Sequence, residues 1–220
     1  GSTISNVRDK VDIKLSGATA AELSRRPIEY DTGFTLLPGK YKIKILACDA
    51  ETGRMGTFEM AFVVPNLNKE VLRVPMSSVV LSSQRVDMRE ALFNASKDKE
   101  KQAQVNNPLV FEGMKLIPSV TRVFSKSKEF FVYLQTYQQE SEVAKPVFAY
   151  VTFYRWQDKV FETTPMGSAD AMSNRLKTVA LQMSLPLAGL ETGEYLCQVT
   201  VVDPKGGKGA FWQAPILVVP

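Results

Sequence analysis

The sequence predicts an all-β chain made of two sandwich modules in series, and three observations carry that prediction. The first is an internal repeat, which outranks most other signals in a sequence. Pro38-Gly39-Lys40-Tyr41 leads through Ile43 and Ile45 to Asp49, and Thr192-Gly193-Glu194-Tyr195 leads through Cys197 and Val199 to Asp203. Gly, Tyr and Asp stand at the same offsets in both copies. The second observation is a succession of short period-two stretches separated by turn residues. The third is length: 220 residues suit two domains of about 100 residues each, both large enough for a core.

Each copy of the repeat reads as a hairpin. Tyr195, Cys197, Val199 and Val201 alternate with Glu194, Gln198 and Thr200, the period of a half-buried strand. Asp203-Pro204-Lys205-Gly206-Gly207 supplies turn chemistry, and Phe211 to Val219 returns. The earlier copy turns at Gly53-Arg54-Met55-Gly56 and returns over Thr57 to Val64. Aligning its Phe58 with Phe211, and its closing Val63-Val64-Pro65 with Val218-Val219-Pro220, costs one residue at the turn and two more in the last strand. A Tyr at the start of a strand, after Gly and two residues before Cys, is the immunoglobulin F-strand pattern, in which the Tyr hydroxyl bonds back to a nearby loop. Such a corner is expected at Tyr195 and at Tyr41.

The first module, residues 1–68, starts with an amphipathic strand over Val7 to Leu15 and a helical turn at Ala18 to Arg26 that Pro27 stops. A strand over Ile28 to Leu37 and the first hairpin complete it. Four strands fall short of the roughly seven of an immunoglobulin-type sandwich, so this module is expected to be truncated at its N-terminal side. Pro65 to Pro75, with Asn66, Asn68 and a proline at each end, reads as a linker or crossover, and residues 69–78 are taken as the linker between the modules. The second module, residues 79–220, opens with a short strand over Val79 to Ser83. Asp87 to Pro108 is polar with mixed charges and reads as a solvated loop. Strands follow over Leu109 to Ile117, Glu129 to Tyr137, Val147 to Trp156 and Val160 to Thr164, then a polar excursion over Met166 to Lys177. Val179, Leu181, Met183 and Leu185 alternate in the next strand, and Pro186 to Gly193 turns the corner into the second hairpin. This spacing argues for sandwiches of the immunoglobulin or fibronectin type III kind.

Composition excludes much chemistry. Histidine is absent, which removes Ser-His and Cys-His nucleophiles and every His-ligated metal site. Two cysteines cannot make a structural zinc site, and they fall in matching strands of different modules, where pairing is not expected. Cys197 lies on the apolar phase and reads as a small buried hydrophobe. Asp49, Glu51 and Asp203 at the hairpin tips fall well short of the six to eight oxygens calcium needs, and read as turn formers. The glycine turns open no helix, so they are not phosphate loops. The 27 basic residues exceed the acidic ones by only four and are scattered, which speaks against nucleic acid. No run of 18 apolar residues is present to span a membrane. An enzyme and a cofactor are therefore not expected.

The least ordinary feature is aromatic phase. Phe148, Tyr150, Tyr154 and Trp156 share one face of their strand, while Val147, Ala149, Val151 and Phe153 share the other. Phe131, Tyr133 and Tyr137 likewise share a face of the preceding strand. Large apolar residues carry most burial energy, so the aromatic face is expected in a core or domain contact, with Trp156 near the usual buried tryptophan. Turned outward, Tyr150, Tyr154 and Trp156 would instead form a ligand platform for a partner or a sugar.

Tyr30-Asp31-Thr32-Gly33-Phe34-Thr35-Leu36-Leu37-Pro38-Gly39-Lys40-Tyr41, its continuation Asp49 to Phe58, and Leu116-Ile117-Pro118-Ser119-Val120-Thr121-Arg122-Val123-Phe124 carry a resemblance. They look like the C-terminal β-sandwich region of the von Willebrand factor A-related (VWFA-related) proteins of Acidobacteria. The resemblance implies an upstream von Willebrand factor A-type domain, which would hold any metal-dependent adhesion site; its Asp-x-Ser-x-Ser signature has no match here. It also implies an exported protein, periplasmic or extracellular. The leading expectation is thus a non-enzymatic structural or protein-interaction module of an exported adhesion-type protein, partnered by another protein or by that upstream domain. The alternative is a carbohydrate-binding module using Tyr150, Tyr154 and Trp156. A truncated first module further predicts an open sheet edge, a natural place for strand addition or dimerisation.

Overall fold

The computed structural model describes residues 3–8, 10, 33–87, 107–111, 113–138, 145–168 and 177–220. Most of the strand expected over Val7–Leu15, all of the turn at Ala18–Arg26, the first part of Ile28–Leu37, and most of the polar stretches after Asp87 and Met166 lie outside the described residues. Gly33 to Leu37 are described and form no strand.

The described chain is almost entirely β. A first hairpin consists of β1 (Gly39–Cys48) and β2 (Met55–Val64). Then come β3 (Val80–Ser82), β4 (Gln84–Asp87), β5 (Val110–Phe111), β6 (Met114–Ile117) and β7 (Val123–Ser125). After these follow β8 (Glu129–Tyr137), β9 (Phe148–Arg155), β10 (Asp158–Glu162) and β11 (Met166–Gly167). The last three are β12 (Thr178–Pro186), β13 (Gly193–Asp203) and β14 (Lys208–Val219). Among the described residues no helix is long and apolar enough to cross a membrane.

Two sheets form a sandwich. One runs β10-β9-β13-β14-β7, with β11 added at β9; the other runs β12-β8-β3. Period-two patterning explains the layering. Phe130, Val132 and Leu134 of β8 and Val179, Leu181, Met183 and Leu185 of β12 meet Ala149, Val151 and Phe153 of β9 and Tyr195, Cys197, Val199 and Val201 of β13. Aromatic rings meet edge to face through the centre: Phe124 to Phe130 at 4.7 Å, Phe130 to Phe153 at 5.8 Å, Phe153 to Tyr195 at 6.4 Å between centroids. β7 closes the larger sheet parallel to β14, with Val218 beside Phe124.

The chain leaves the sandwich after β3 and returns to the same point. Gln84 pairs with Ile117 and the Ser119 N–H donates to Leu81 O at 2.8 Å, so β4, β5 and β6 form a side sheet on one base. The single strand expected over Leu109–Ile117 is in fact a hairpin, because Gly113 at φ +76° reverses the chain between β5 and β6. Within the expected linker 69–78, Val74 is buried in the core, and Tyr137 N–H and Ser77 N–H bond to Pro75 O and Gln135 O at 3.0 and 2.8 Å.

The repeat is closer than the sequence alignment allowed. β1 pairs with β2 in a ladder from Gly39–Val64 to Cys48–Met55; β13 pairs with β14 from Gly193–Val218 to Asp203–Lys208. Both ladders match at one constant offset, so no residue is gained or lost at the turn or in the last strand. Phe58 corresponds to Trp212 rather than Phe211, and Val64, not Pro65, closes opposite the glycine. Each turn ends on a glycine in the left-handed region, Gly53 at φ +67° and Gly207 at φ +62°. Both tyrosine corners are present: Tyr41 Oη donates to Leu37 O at 2.6 Å and Tyr195 Oη to Glu191 O at 2.9 Å.

Burial differs completely between the copies. No residue of β1 or β2 is buried, and among the described residues the two strands pair only with each other.

Candidate functional site

Alternation along β9 decides which of its faces is available. Ala149, Val151 and Phe153 occupy the core with no exposed surface, which turns Phe148, Tyr150 and Tyr154 outward, half-buried on the sheet. Of the two places expected for the aromatic face, a core or a domain contact, the core is therefore overturned. The cause is volume: Phe153 already meets Phe130 and Tyr195 across a core filled by β8 and β12. Trp156 does not take the place of a buried core tryptophan either. It stands 91 % exposed in the two-residue turn between β9 and β10, and Phe153 takes the core position. On β8, Tyr133 also faces away from the core yet is buried, which pushes its hydroxyl up to about 12.

Pairing register assembles the outer face in rungs. Tyr154 lies opposite Leu196, which lies opposite Pro215; Thr152 opposite Gln198, then Gln213; Tyr150 opposite Thr200, then Phe211. Two apolar and aromatic rungs thus flank a polar one. The polar rung is bonded together: Gln213 Nε2 donates to Gln198 Oε1 at 2.7 Å, and Gln198 Nε2 to Thr200 Oγ1 at 2.9 Å. Thr152 Oγ1 donates to Glu162 Oε2 at 2.9 Å, and that bond, with Lys159 at 3.1 Å, holds the Glu162 carboxyl below the usual carboxylate range. Phe211 and Leu217 extend the apolar surface along β14.

Trp156 closes one end of this face. Its φ of +60° is a conformation glycine fills by preference, and a bulky side chain there costs on the order of 1–2 kcal/mol. Beside it lies an open depression of about 410 Å³ lined by Arg155, Trp156, Glu194, Tyr195, Leu196 and Pro215. Arg155 is fixed by its ion pair with Glu191 and lies 6.0 Å over the Tyr195 ring. The cleft near Thr136 and Asp203 is smaller, about 100 Å³, below the roughly 300–1,000 Å³ of small-molecule pockets.

No protein-family model and no curated protein matches the chain. Its function must be argued from this surface.

Of the residues singled out in the sequence, Tyr150 and Tyr154 share the sheet face, and Trp156 stands at its end on the turn. Leu196, Pro215, Phe211, Arg155 and Glu194 were not singled out. The outward phase of the second hairpin, Leu196-x-Gln198-x-Thr200-x-Val202, was the available signal, being less polar than a free surface needs to be. At the hairpin tips the carboxylates serve the turns. Asp49 Oδ1 accepts from Glu51 N–H at 3.0 Å and its other oxygen from the Thr52 hydroxyl, a bond that holds its carboxyl low; Asp203 Oδ1 accepts from Gly206 N–H at 2.9 Å.

Proposed function

We propose that this chain is a non-enzymatic protein-interaction module of an exported adhesion-type protein, with the outer face of the β9, β13 and β14 strands as its contact surface. The observation that carries the reading is Trp156: a fully presented aromatic side chain kept on a backbone where glycine is favoured, beside a flat face of Tyr154, Leu196, Pro215 and Phe211. Strain of this kind persists where something other than stability keeps it. Protein interfaces are enriched in Trp, Tyr and Phe at their centres, and a face three strands wide suits the roughly 800 Å² that each partner contributes. Export and adhesion rest on the resemblance to VWFA-related proteins, whose upstream domain is itself a possible occupant of this face.

A second reading is favoured by the geometry around Trp156. An indole over an open depression with Arg155 and Glu194 at its rim offers an apolar plane and charged hydrogen-bonding groups together, the combination a pyranose ring needs. Two variants separate the readings. The immobilised chain is exposed to envelope and secreted fractions of the source organism, and in parallel to a panel of polysaccharides in affinity gels. A stoichiometric protein retained by the wild type and lost from Phe211→Ser supports the interaction module. Retardation by one polysaccharide, lost from Trp156→Ala but kept by Phe211→Ser, transfers the site to carbohydrate. Capture that survives both variants removes this face from the function.

A further inference from the structure

We propose that the edge of β1 left unpaired among the described residues is a strand-acceptor site, which takes an extended segment of a second polypeptide whose residues alternate between apolar and acidic. The second hairpin shows what such a hairpin looks like when complete. There β13 is paired on its other edge by β9, from Leu196–Tyr154 to Val202–Phe148, and its inner face is covered by the opposite sheet. At the constant offset of the repeat, the same stretch of the first hairpin is Lys42 to Cys48. Among the described residues nothing pairs with it.

The edge is presented for pairing. Asp49 N–H donates to Arg54 O at 2.9 Å, so the antiparallel alternation turns the amides of Ala47, Ile45 and Ile43 toward β2 and those of Lys42, Lys44 and Leu46 outward. Ile45, Phe58 and Met60, the counterparts of buried Val199, half-buried Trp212 and buried Ala214, are exposed on one face. Residues of an incoming strand opposite Ile43, Ile45 and Ala47 therefore have to be apolar, as Phe153, Val151 and Ala149 are opposite β13.

Charge sets the other phase. Lys40, Lys42 and Lys44 line the opposite face, and among the described residues Glu59 alone answers them by pairing with both Lys42 and Lys44. The two lysines beside Glu59 hold its carboxyl below the usual range, and the face keeps a positive excess. Opposite charges across strands stabilise a pair and like charges oppose it, so acidic residues belong opposite Lys42 and Lys44. A second copy offering its own β1 in full antiparallel overlap of Lys42 to Cys48 would set Cys48 and Leu46, not carboxylates, opposite Lys42 and Lys44. The chain's own amphipathic run Val7–Leu15 carries Arg8, Lys10 and Lys14 against Asp12 alone on its polar phase, a net charge of the wrong sign. The Tyr41–Leu37 corner repeats the Tyr195–Glu191 corner, which brings the chain in from the opposite sheet rather than along the edge of β13. A separate polypeptide fits all three constraints.

The test uses the full chain and two synthetic peptides, Ser-Val-Thr-Val-Glu-Val-Glu and the same peptide with Lys in place of Glu. Amide exchange and chemical shifts are followed by nuclear magnetic resonance. The expected result is protection of the Lys42, Lys44 and Leu46 amides by the acidic peptide, with the basic peptide about tenfold weaker. The exposed double variant Lys42→Glu and Lys44→Glu then reverses the preference without touching the sandwich core. Failure of the acidic peptide to bind at millimolar concentration, or equal binding of the basic one, overturns the proposal. So does protection of these amides in the peptide-free chain: in a monomer by sedimentation the edge is covered by the chain itself, and in a dimer by a second copy.

Discussion

Two hairpins of the same register, turn length and tyrosine corner stand in one molecule, one packed into a core and one, among the described residues, uncovered. Everything local is shared: the glycine before the tyrosine, the Asp that caps the turn, and the left-handed glycine that ends it. What differs is cover. Register is set by turn geometry and by the alternating pattern, both written in some 26 residues, whereas burial needs a second layer from elsewhere in the chain. An isolated two-stranded hairpin is marginal in water, so equal geometry does not mean equal stability.

The largest contrast is expected where equivalent apolar positions are truncated. Ile216 and Phe62 match in the repeat, but Ile216 is 3 % exposed in the core while Phe62, half-buried, stacks on Tyr41 at 5.8 Å. Ile216→Ala should lower the unfolding free energy of the sandwich by about 2–5 kcal/mol in a urea titration. Phe62→Ala should leave that transition within about 0.5 kcal/mol. A comparable loss from both would mean that the first hairpin is covered after all and folds with the sandwich.

Smaller differences follow at the corners and turns. Tyr195→Phe leaves Glu191 O without its donor beside a buried ring, a cost of about 1 kcal/mol to the sandwich. Tyr41→Phe should not move that transition, and should instead speed amide exchange in β1 and β2. The turns offer a contrast of their own. Gly53 and Gly207 obey the preference for glycine at positive φ, and Trp156 violates it. Trp156→Gly should therefore raise stability by up to about 1 kcal/mol, the strain released less the added freedom of the unfolded chain, while binding at the outer face is lost. A destabilised Trp156→Gly would show that the indole serves the fold, and would undo the functional reading of this residue.

Much of the sandwich was legible because its strands are half-buried. β8 runs from Glu129 to Tyr137 as its pattern predicts, and the inward residues of β12 and β13 are those that alternate. β9 was legible as a strand but not in orientation. Both of its phases are apolar, and period two cannot say which one a core of fixed volume accepts. Gly113 divides a run that reads as one strand, because a glycine inside an apolar stretch marks a close approach or a turn indifferently. The repeat was visible from Gly, Tyr and Asp, yet its tail was misaligned on Val-Val-Pro, a match of composition rather than of ladder position. Tyr150, Tyr154 and Trp156 could be named from one strand. Their neighbours Leu196, Pro215 and Phe211 become neighbours only through two strand pairings, which no local pattern encodes.

The finest contrast lies in the two thiols, one on each hairpin. Cys48 is exposed near the tip of β1, and Cys197 has no exposed surface in β13, where burial pushes its thiol up to about 12. The thiolate is the reactive form, so at pH 8 an alkylating reagent should modify one cysteine per chain, at Cys48, and reach Cys197 only on unfolding. The same shift gives a pH dependence with a definite sign. In the folded chain Cys197 stays protonated to about pH 12, while in the unfolded chain it loses its proton near its ordinary value of 9.0. Its contribution is fully present below pH 9 and is lost as the pH rises through that window, because the unfolded state then binds fewer protons than the folded one. Unfolding midpoints at pH 8 and pH 10.5 should thus fall less in Cys197→Ala than in the wild type, although the variant starts lower through its lost packing. Cys48→Ala, on the exposed hairpin, should leave the starting point at pH 8 unchanged. An equal alkaline slope in the wild type and in Cys197→Ala would place the ionising group elsewhere, with Tyr133, also pushed up to about 12 by burial, the next to replace.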